Sequence, residues 1–305
     1  MSTPARAPLD GTVVVVNYND GPLLGQLLDL LLEEVRRVVV VDNASTDGSE
    51  QAAAERSDVM LIRNDHDRGY APAANQGASH AEGDWLVLIN PDAHLRPGDL
   101  EALVTDLPSD VGAVAPVQVD RSGTPRPETG GYAPTLPRYL LWALVPVRFH
   151  GRWGPWLAKI PPGGDVALDW VSSALLVIRR EAFVAVGGLD DRFFLYHEDV
   201  DFGRRLRAHG WRVFCRTSVE LFHEVAAGNP ERRLKQSLLA LDSLVLEFEG
   251  WRRPILGAIL AIGYGLRAIF GSGPGRALAR AALPACGRMI LGRRPSATDM
   301  APTDA

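Results

Sequence analysis

Only two cysteines, Cys215 and Cys286, occur in 305 residues. That excludes a disulfide framework, and a reducing cytoplasm is the simpler setting. The N-terminus has one Arg, Arg6, and a short apolar run that stops at Asn17, too brief for a signal peptide. Internal repeats and low-complexity tracts are missing. So is an uninterrupted run of the ~20 apolar residues that a spanning helix needs: Pro254 to Phe270 falls short and is broken by Arg267. Negative charge is missing from one region altogether. Gly250 to Thr298 has eight Arg and no Asp or Glu, so the net charge of −5 sets a basic tail against a more acidic remainder.

What is present reads as an enzyme of ordinary composition, 23% charged and 46% hydrophobic, long enough to bury a large core. Short apolar runs, mostly β-branched or aromatic, occur at Thr12 to Val16, Arg37 to Val41, Val59 to Arg63 and Trp85 to Ile89. Between the first two, Leu23, Leu24, Leu27, Leu28 and Leu31 repeat at helical spacing, and Glu50 to Arg56 is a second helical segment. Strand and helix alternating in this way predict an α/β fold with a parallel sheet buried on both faces. Ligands of such sheets bind beyond the carboxyl ends of the strands.

Every one of those ends is polar. Asn17-Tyr18-Asn19 follows the first run, and Asp42-Asn43 with Asp47 the second. Asn64 leads on to Arg68-Gly69 and Asn75, and Asn90-Pro91-Asp92 follows the fourth. One polar end is an ordinary turn or cap; four on one edge point to a site. Amides and carboxylates suit the imide edge of a pyrimidine and the hydroxyls of a ribose, and Asp92 suits a divalent ion on a diphosphate. Farther along, Phe202 and Leu206 at helical spacing and the stop at Gly210 place Glu198 and Asp199 at a helix N-terminus, where the helix dipole favours ionised carboxylates.

These motifs resemble family 2 inverting glycosyltransferases. Asn17-Tyr18-Asn19, the run from Val41 to Ser49, Arg63-Asn64 with Gly69-Tyr70 and Asn75, and Asn90-Pro91-Asp92 look like their nucleotide-binding half. Ser172 to Arg180, Val186 to Asp190, Arg192-Phe193-Phe194 and Glu198-Asp199-Val200-Asp201 look like their acceptor half. The resemblance is closest to bacterial rhamnosyltransferases of cell-wall linkers and surface polysaccharides.

It implies a GT-A fold, Rossmann-like, with a mixed, mostly parallel sheet flanked by helices and a C-terminal helical extension. The implied divisions are residues 1–118 for the nucleotide sugar, 119–230 for acceptor and catalysis, and 231–305 for the extension. The implied donor is a nucleoside diphosphate sugar, dTDP-rhamnose above others, and the acceptor a lipid-linked saccharide or polysaccharide. Donor contacts would come from Asn17, Tyr18, Asn19, Asp42, Asn43, Asp47, Asn64, Arg68, Gly69, Asn75, Asn90 and Asp92. Asp42 would meet the pyrimidine, and Asp92 with His223 would hold Mn²⁺ or Mg²⁺. Asp199 would be the base, with Glu198 supporting it or orienting the acceptor. Many relatives have Asp where this chain has Asn90. The rivals are transfer of another sugar from a UDP donor and a catalytically silent nucleotide-sugar-binding protein.

Two segments remain. Val119 to Pro162, with Arg126, Arg138, Arg148, Arg152, Trp142, Trp153 and Trp156, reads as a long irregular connection over the catalytic face or an acceptor loop. Pro254 to Phe270 reads as a helix in the membrane interface, with Ile255, Leu256, Ile259 and Leu260 entering lipid and Arg252, Arg253, Arg276 and Arg280 on its phosphates. The other option is a helix packed on the domain. The interfacial reading makes the protein peripheral on the inner face of the plasma membrane. No nucleic-acid motif accompanies the arginines, and no nucleic acid is expected as partner.

Overall fold

The computed structural model describes residues 8–145, 160, 164–223, 230–271 and 273–293. The readings placed on Arg148, Arg152, Trp153, Trp156 and the first seven residues lie outside them. The chain forms two compact units. One comprises Met1–Gly131, Lys159–Asp191 and Asp199–Val225; the other comprises Tyr132–Ala158, Arg192–Glu198 and Ala226–Ala305.

The first unit is built on parallel strands β1 (Leu9–Asn17), β2 (Val35–Asp42), β3 (Val59–Arg63) and β4 (Trp85–Ile89), in the order β3-β2-β1-β4. Val13, Val14 and Val15 of β1 and Val38 to Val41 of β2 are buried without alternation, because helices cover both faces of the sheet. The chain continues through β5 (Ala93–His94), β6 (Val111–Val119), β7 (Gly130–Gly131), β8 (Asp165–Leu168), β9 (Trp170–Val171), β10 (Leu175–Arg179) and β11 (Arg212–His223). β10 enters antiparallel between β4 and β6, and β11 runs parallel to β6, which completes a nine-stranded sheet with β5 and β8 paired to β11. The strand pattern predicts the parallel part of this sheet, and the resemblance its mixed, mostly parallel whole.

The helices are α1 (Leu23–Glu34), α2 (Gln51–Ala54), α3 (Tyr70–Ala78), α4 (Asp99–Val104), α5 (Leu136–Leu144), α6 (Arg180–Ala185) and α7 (Glu198–Ala208), of which α5 belongs to the second unit. α1 buries Leu24, Leu27, Leu28 and Leu31, the stripe read from its spacing. α3 lies so close to the sheet that a Cβ at Gly77 would fall 2.4 Å from Val14 Cγ1.

β11 passes an irregularity in register between Arg216 and Glu220 that breaks its apolar pattern. One expectation changes. Within the segment read as an irregular connection, residues 136–144 form α5. Thr135 caps it by accepting a hydrogen bond from the Arg138 N–H, and a Pro in its first turn is compatible with a helix start.

The second unit has its own core, formed by α5, α8 (Pro230–Glu247), α9 (Arg252–Phe270) and α10 (Gly273–Ile290) around Tyr139, Val245, Phe248, Leu260 and Met289. A Cβ at Gly257 of α9 would fall 2.8 Å from the backbone nitrogen of Ile290, so the start of α9 lies against the end of α10 and the two helices run antiparallel. By length and composition α9, 19 residues long, is apolar enough to cross a membrane. Leu256, Ile259 and Leu260, read as entering lipid, are instead buried in this core, because α9 turns that side to α5, α8 and α10.

Cys215 in the first unit and Cys286 in the second are free and buried, and burial pushes both thiols up to about 12. Neither should react with a thiol reagent at about pH 8 while its unit is folded, since the thiolate is the nucleophile. Labelling of the native protein at the rate of free cysteine would refute this burial.

Candidate functional site

The register of the parallel strands gathers their polar ends. Asn17 stands level with Asp42, Asp42 with Arg63, and Val15 with Ile89. Asn17 is fully buried, and its Nδ2 donates to Asp42 Oδ1 at 2.7 Å, Ser49 Oγ at 2.9 Å and Ser45 Oγ at 3.1 Å. Asp42 Oδ1 also accepts from Ser45 Oγ at 2.6 Å and its Oδ2 from the Ser45 N–H at 3.0 Å. Most of the acceptor capacity of Asp42 thus shapes its own turn, and a ligand would meet what remains on Oδ2.

Asn43 is a latch. Its Nδ2 donates to Gly69 O at 3.0 Å and Asp67 Oδ1 at 3.2 Å, and its Oδ1 accepts from Asn64 Nδ2 at 2.9 Å. Asp67 Oδ1 also accepts from the Gly69 N–H at 2.9 Å, which sets the turn into α3. On the outer side of the edge, Tyr18 is 46% exposed and Asn19, Asp47 and Arg68 are exposed. Asn19 adopts a left-handed conformation, and its Oδ1 accepts from the Thr46 N–H at 2.8 Å. Asp47 accepts from the N–H groups of Gly21 at 2.9 Å and Ser49 at 3.0 Å; hydrogen bonding from Ser49 holds its carboxyl below the usual range. Arg68 has no hydrogen bond or ion pair among the described residues, which leaves its guanidinium open to an anionic ligand.

Asn75 ties α3 to the chain ahead of α7. Its Nδ2 donates to Asp191 Oδ1 at 2.6 Å and Leu189 O at 2.8 Å, and its Oδ1 accepts from the Leu189 N–H at 2.9 Å. On α7, Arg205 reaches the same loop, with Nη1 donating to Gly188 O at 2.5 Å and Val186 O at 2.9 Å while Nε donates to Asp201 Oδ2 at 2.6 Å. Asp201 is 2% exposed and also pairs with Arg204. Asp199 is therefore held on a helix whose first turns are clamped to the loop that Asn75 anchors. Asp199 Oδ1 accepts from the Val200 N–H at 2.8 Å, and Glu198, the first residue of α7, is buried. The turn entering α7 is strained: Tyr196 and His197 both have positive φ, 68° and 67°. Burial lowers the His197 imidazole to about 4 and keeps it neutral.

Asp92 and His223 meet. The antiparallel pairing of β5 with β11 sets His223 opposite Ala93, and His223 Nε2 lies 3.0 Å from Asp92 Oδ1. The two side chains are 14% and 24% exposed, so water and a ligand have limited access to the pair. His223 Nδ1 is buried with no hydrogen-bond partner among the described residues. No group of three His, Cys, Asp or Glu suited to a metal occurs among the described residues. A histidine with one carboxylate fits a divalent ion that takes its other ligands from water and a diphosphate. Asn90, whose N–H donates to Ala174 O at 3.0 Å, is the residue before Pro91-Asp92.

Ser45, Ser49 and Asp67 organise this edge and Asp201 holds α7, roles that the sequence motifs around Ser45, Ser49 and Asp201 did not assign. The signal for Asp67 was its place two residues before Gly69, the spacing at which an Asp side chain bonds the backbone two residues on.

Residues 12–161 match the family described as Glycosyl transferase family 2. Over 237 residues the chain is 34% identical to the N-acetylglucosaminyl-diphospho-decaprenol L-rhamnosyltransferase of Mycobacterium tuberculosis (strain CDC 1551 / Oshkosh), covering 70% of this chain and 76% of that one. The chain belongs to glycosyl transferase family 2. This glycosyltransferase is also 31% identical to the O-antigen biosynthesis protein RfbC of Myxococcus xanthus, over 73% of its own length and 18% of the other. Among solved structures, its fold is similar to that of the mannosyltransferase PcManGT from Pyrobaculum calidifontis in complex with GDP-Man and Mn²⁺, with TM-score 0.55 at 22% identity, covering 92% and 85% of the two chains. GalNAc-T7 with UDP, GalNAc and Mn²⁺ gives TM-score 0.56 at 14% identity, covering 92% and 55%. Family 2 membership makes the chain an enzyme of sugar transfer.

Proposed function

We propose that this glycosyltransferase moves L-rhamnose from dTDP-rhamnose, with inversion, to a saccharide linked to a polyprenyl diphosphate at the inner face of the membrane. The observation that carries the substrate class is the similarity to the mycobacterial rhamnosyltransferase, which spans most of both chains. On this reading, Asp42, Asp47, Tyr18 and Arg68 lie along the nucleotide, and Asn17, fully buried, holds the Asp42 turn behind them. Asn43, Asn64 and Asn75 keep the surrounding loops in place, and Asn90 lies by Asp92.

Asp199 takes the acceptor proton. A hydroxyl is a poor nucleophile, so a carboxylate within hydrogen-bond reach must accept its proton as the new C–O bond forms. With one base and no covalent enzyme intermediate, the hydroxyl attacks opposite the leaving diphosphate and the anomeric centre inverts. Glu198 supports the base. Asp92 and His223 would hold a divalent ion, Mn²⁺ or Mg²⁺, which when bound offsets charge on the leaving diphosphate.

The donor is tested by thermal shift with dTDP-rhamnose and with UDP-sugars, each with and without Mn²⁺ or Mg²⁺. Ligand at 100 times its Kd stabilises the native state by about 2.7 kcal/mol, a readable shift. A shift with UDP-sugars alone would replace the donor assignment, and binding without transfer would make the protein a silent nucleotide-sugar binder. Asp92→Ala and His223→Ala should each weaken the metal-dependent part of the shift. Combined, they should cost less than the sum of the singles, because both serve one ion. A donor-induced shift that survives exhaustive chelation would remove the ion from the site.

A further inference from the structure

The outward side of α9 is apolar along its whole length. Trp251 at its N-terminal cap, then Ile255, Ala258, Ile262, Leu266 and Ile269, follow at spacings of three and four residues and are all exposed, Trp251 and Ile269 at 73% and 68%. At the helical rise the stripe is about 27 Å long. A helix on the surface of a soluble domain turns polar residues to water; this one buries Leu256, Gly257, Ile259, Leu260 and Gly263 on one side and exposes a second apolar stripe on the other.

Cations stand at both ends of the stripe. Arg276 Nε donates to Gly271 O at 2.7 Å where α9 stops, and Arg253 Nη1 reaches Gly292 O at 3.5 Å where it starts, beside exposed Arg293. Arg280 is exposed on α10, and neither α9 nor α10 has a single carboxylate. A second copy of the chain is a poor occupant, because pairing two such helices would set arginine against arginine with no acidic flanking residue to answer them. Spanning the bilayer is also disfavoured, since α10, antiparallel to α9 and packed on it, would take Arg276, Arg280 and Arg288 into the hydrocarbon.

We infer that α9 is a docking surface for an anionic lipid leaflet, lying in the plane of the headgroups with the Trp251–Ile269 stripe in the acyl boundary and the arginines on lipid phosphates. Tryptophan at such a boundary keeps its ring in the apolar zone and its N–H in water. Apolar area and cationic attraction act together in surface helices of this kind. The inference rests on the functional reading only in expecting the acceptor at a membrane.

The test uses full-length protein and sedimentation with phosphatidylcholine vesicles with and without about 30% phosphatidylglycerol. The protein should sediment with the anionic vesicles, at least tenfold more weakly with neutral ones, and less as salt rises. Ile262→Glu combined with Ile269→Glu should lower anionic binding at least tenfold. Both positions are exposed, so the donor-induced thermal shift should be unchanged, which separates this inference from the donor assignment. Wild-type protein that ignores anionic vesicles at low salt, or a double variant that binds like wild type, would overturn it. So would light scattering that shows a dimer which the double variant splits, since the stripe would then belong to a second copy.

Discussion

Asp199→Asn is expected to lower turnover by at least about 10²-fold while leaving donor affinity nearly unchanged. The amide keeps the size and shape of the carboxylate and can still accept the Val200 N–H that Asp199 Oδ1 accepts at 2.8 Å. What it cannot do is take a proton. The helix that presents it should stay in place, because Asp201 and Arg205 clamp α7 to the Val186–Gly188 loop. Rate constants at saturating acceptor and the donor-induced thermal shift, measured on the same preparation, separate loss of a base from loss of a fold. Near-normal turnover in Asp199→Asn would take the role from this residue, and Glu198→Gln would be the next variant to measure.

How much of this site could be read without coordinates depended on how far apart the interacting residues lie in sequence. The strands from β1 to β4 announce themselves because a parallel sheet covered on both faces needs continuous apolar runs, and the polar ends then fall on one edge by register alone. The partners of those ends do not announce themselves. Asn43 reaches Gly69 across 26 residues and Asn75 reaches Leu189 across 114, so both look like ligand contacts in sequence and are found engaged with the protein. His223 comes only from the resemblance, because the irregularity after Arg216 hides the last part of β11 and with it the pairing that sets His223 beside Asp92. α9 shows a different limit. In a helix apolar on nearly every side, periodicity cannot say which side the core takes, and Leu256, Ile259 and Leu260 went to protein while Ile262, Leu266 and Ile269 stayed exposed.

Asp201→Ala should be the most destabilising single change near the site. Asp201 is 2% exposed and accepts from Arg205 Nε at 2.6 Å while also pairing with Arg204, and Arg205 in turn holds the carbonyls of Val186 and Gly188. Removing one member of a buried ion pair costs about 3–5 kcal/mol, because the partner is left with its desolvation and without its counter-charge. Arg205 keeps a side-chain exposure of 20%, so part of that cost is recovered by water, and about 3 kcal/mol is the expected figure. A chain with two compact units does not promise a single unfolding transition, so the probe should report on the unit that holds α7. Cys215 is buried in β11 of that unit, and replacing Cys286 by Ala leaves it as the sole thiol. In that background, Asp201→Ala should speed thiol labelling by on the order of 10²-fold if labelling tracks the equilibrium opening of the unit. Asp201→Asn, which keeps an acceptor for Arg205 without the charge, should fall between. Turnover should drop in the same order while the donor-induced shift remains at temperatures where the unit is folded, since on the proposed function α7 positions Asp199 and the nucleotide lies on the strand ends. An Asp201→Ala protein that labels and turns over like its parent would mean that the Arg205 contacts to Val186 and Gly188 hold α7 without the carboxylate.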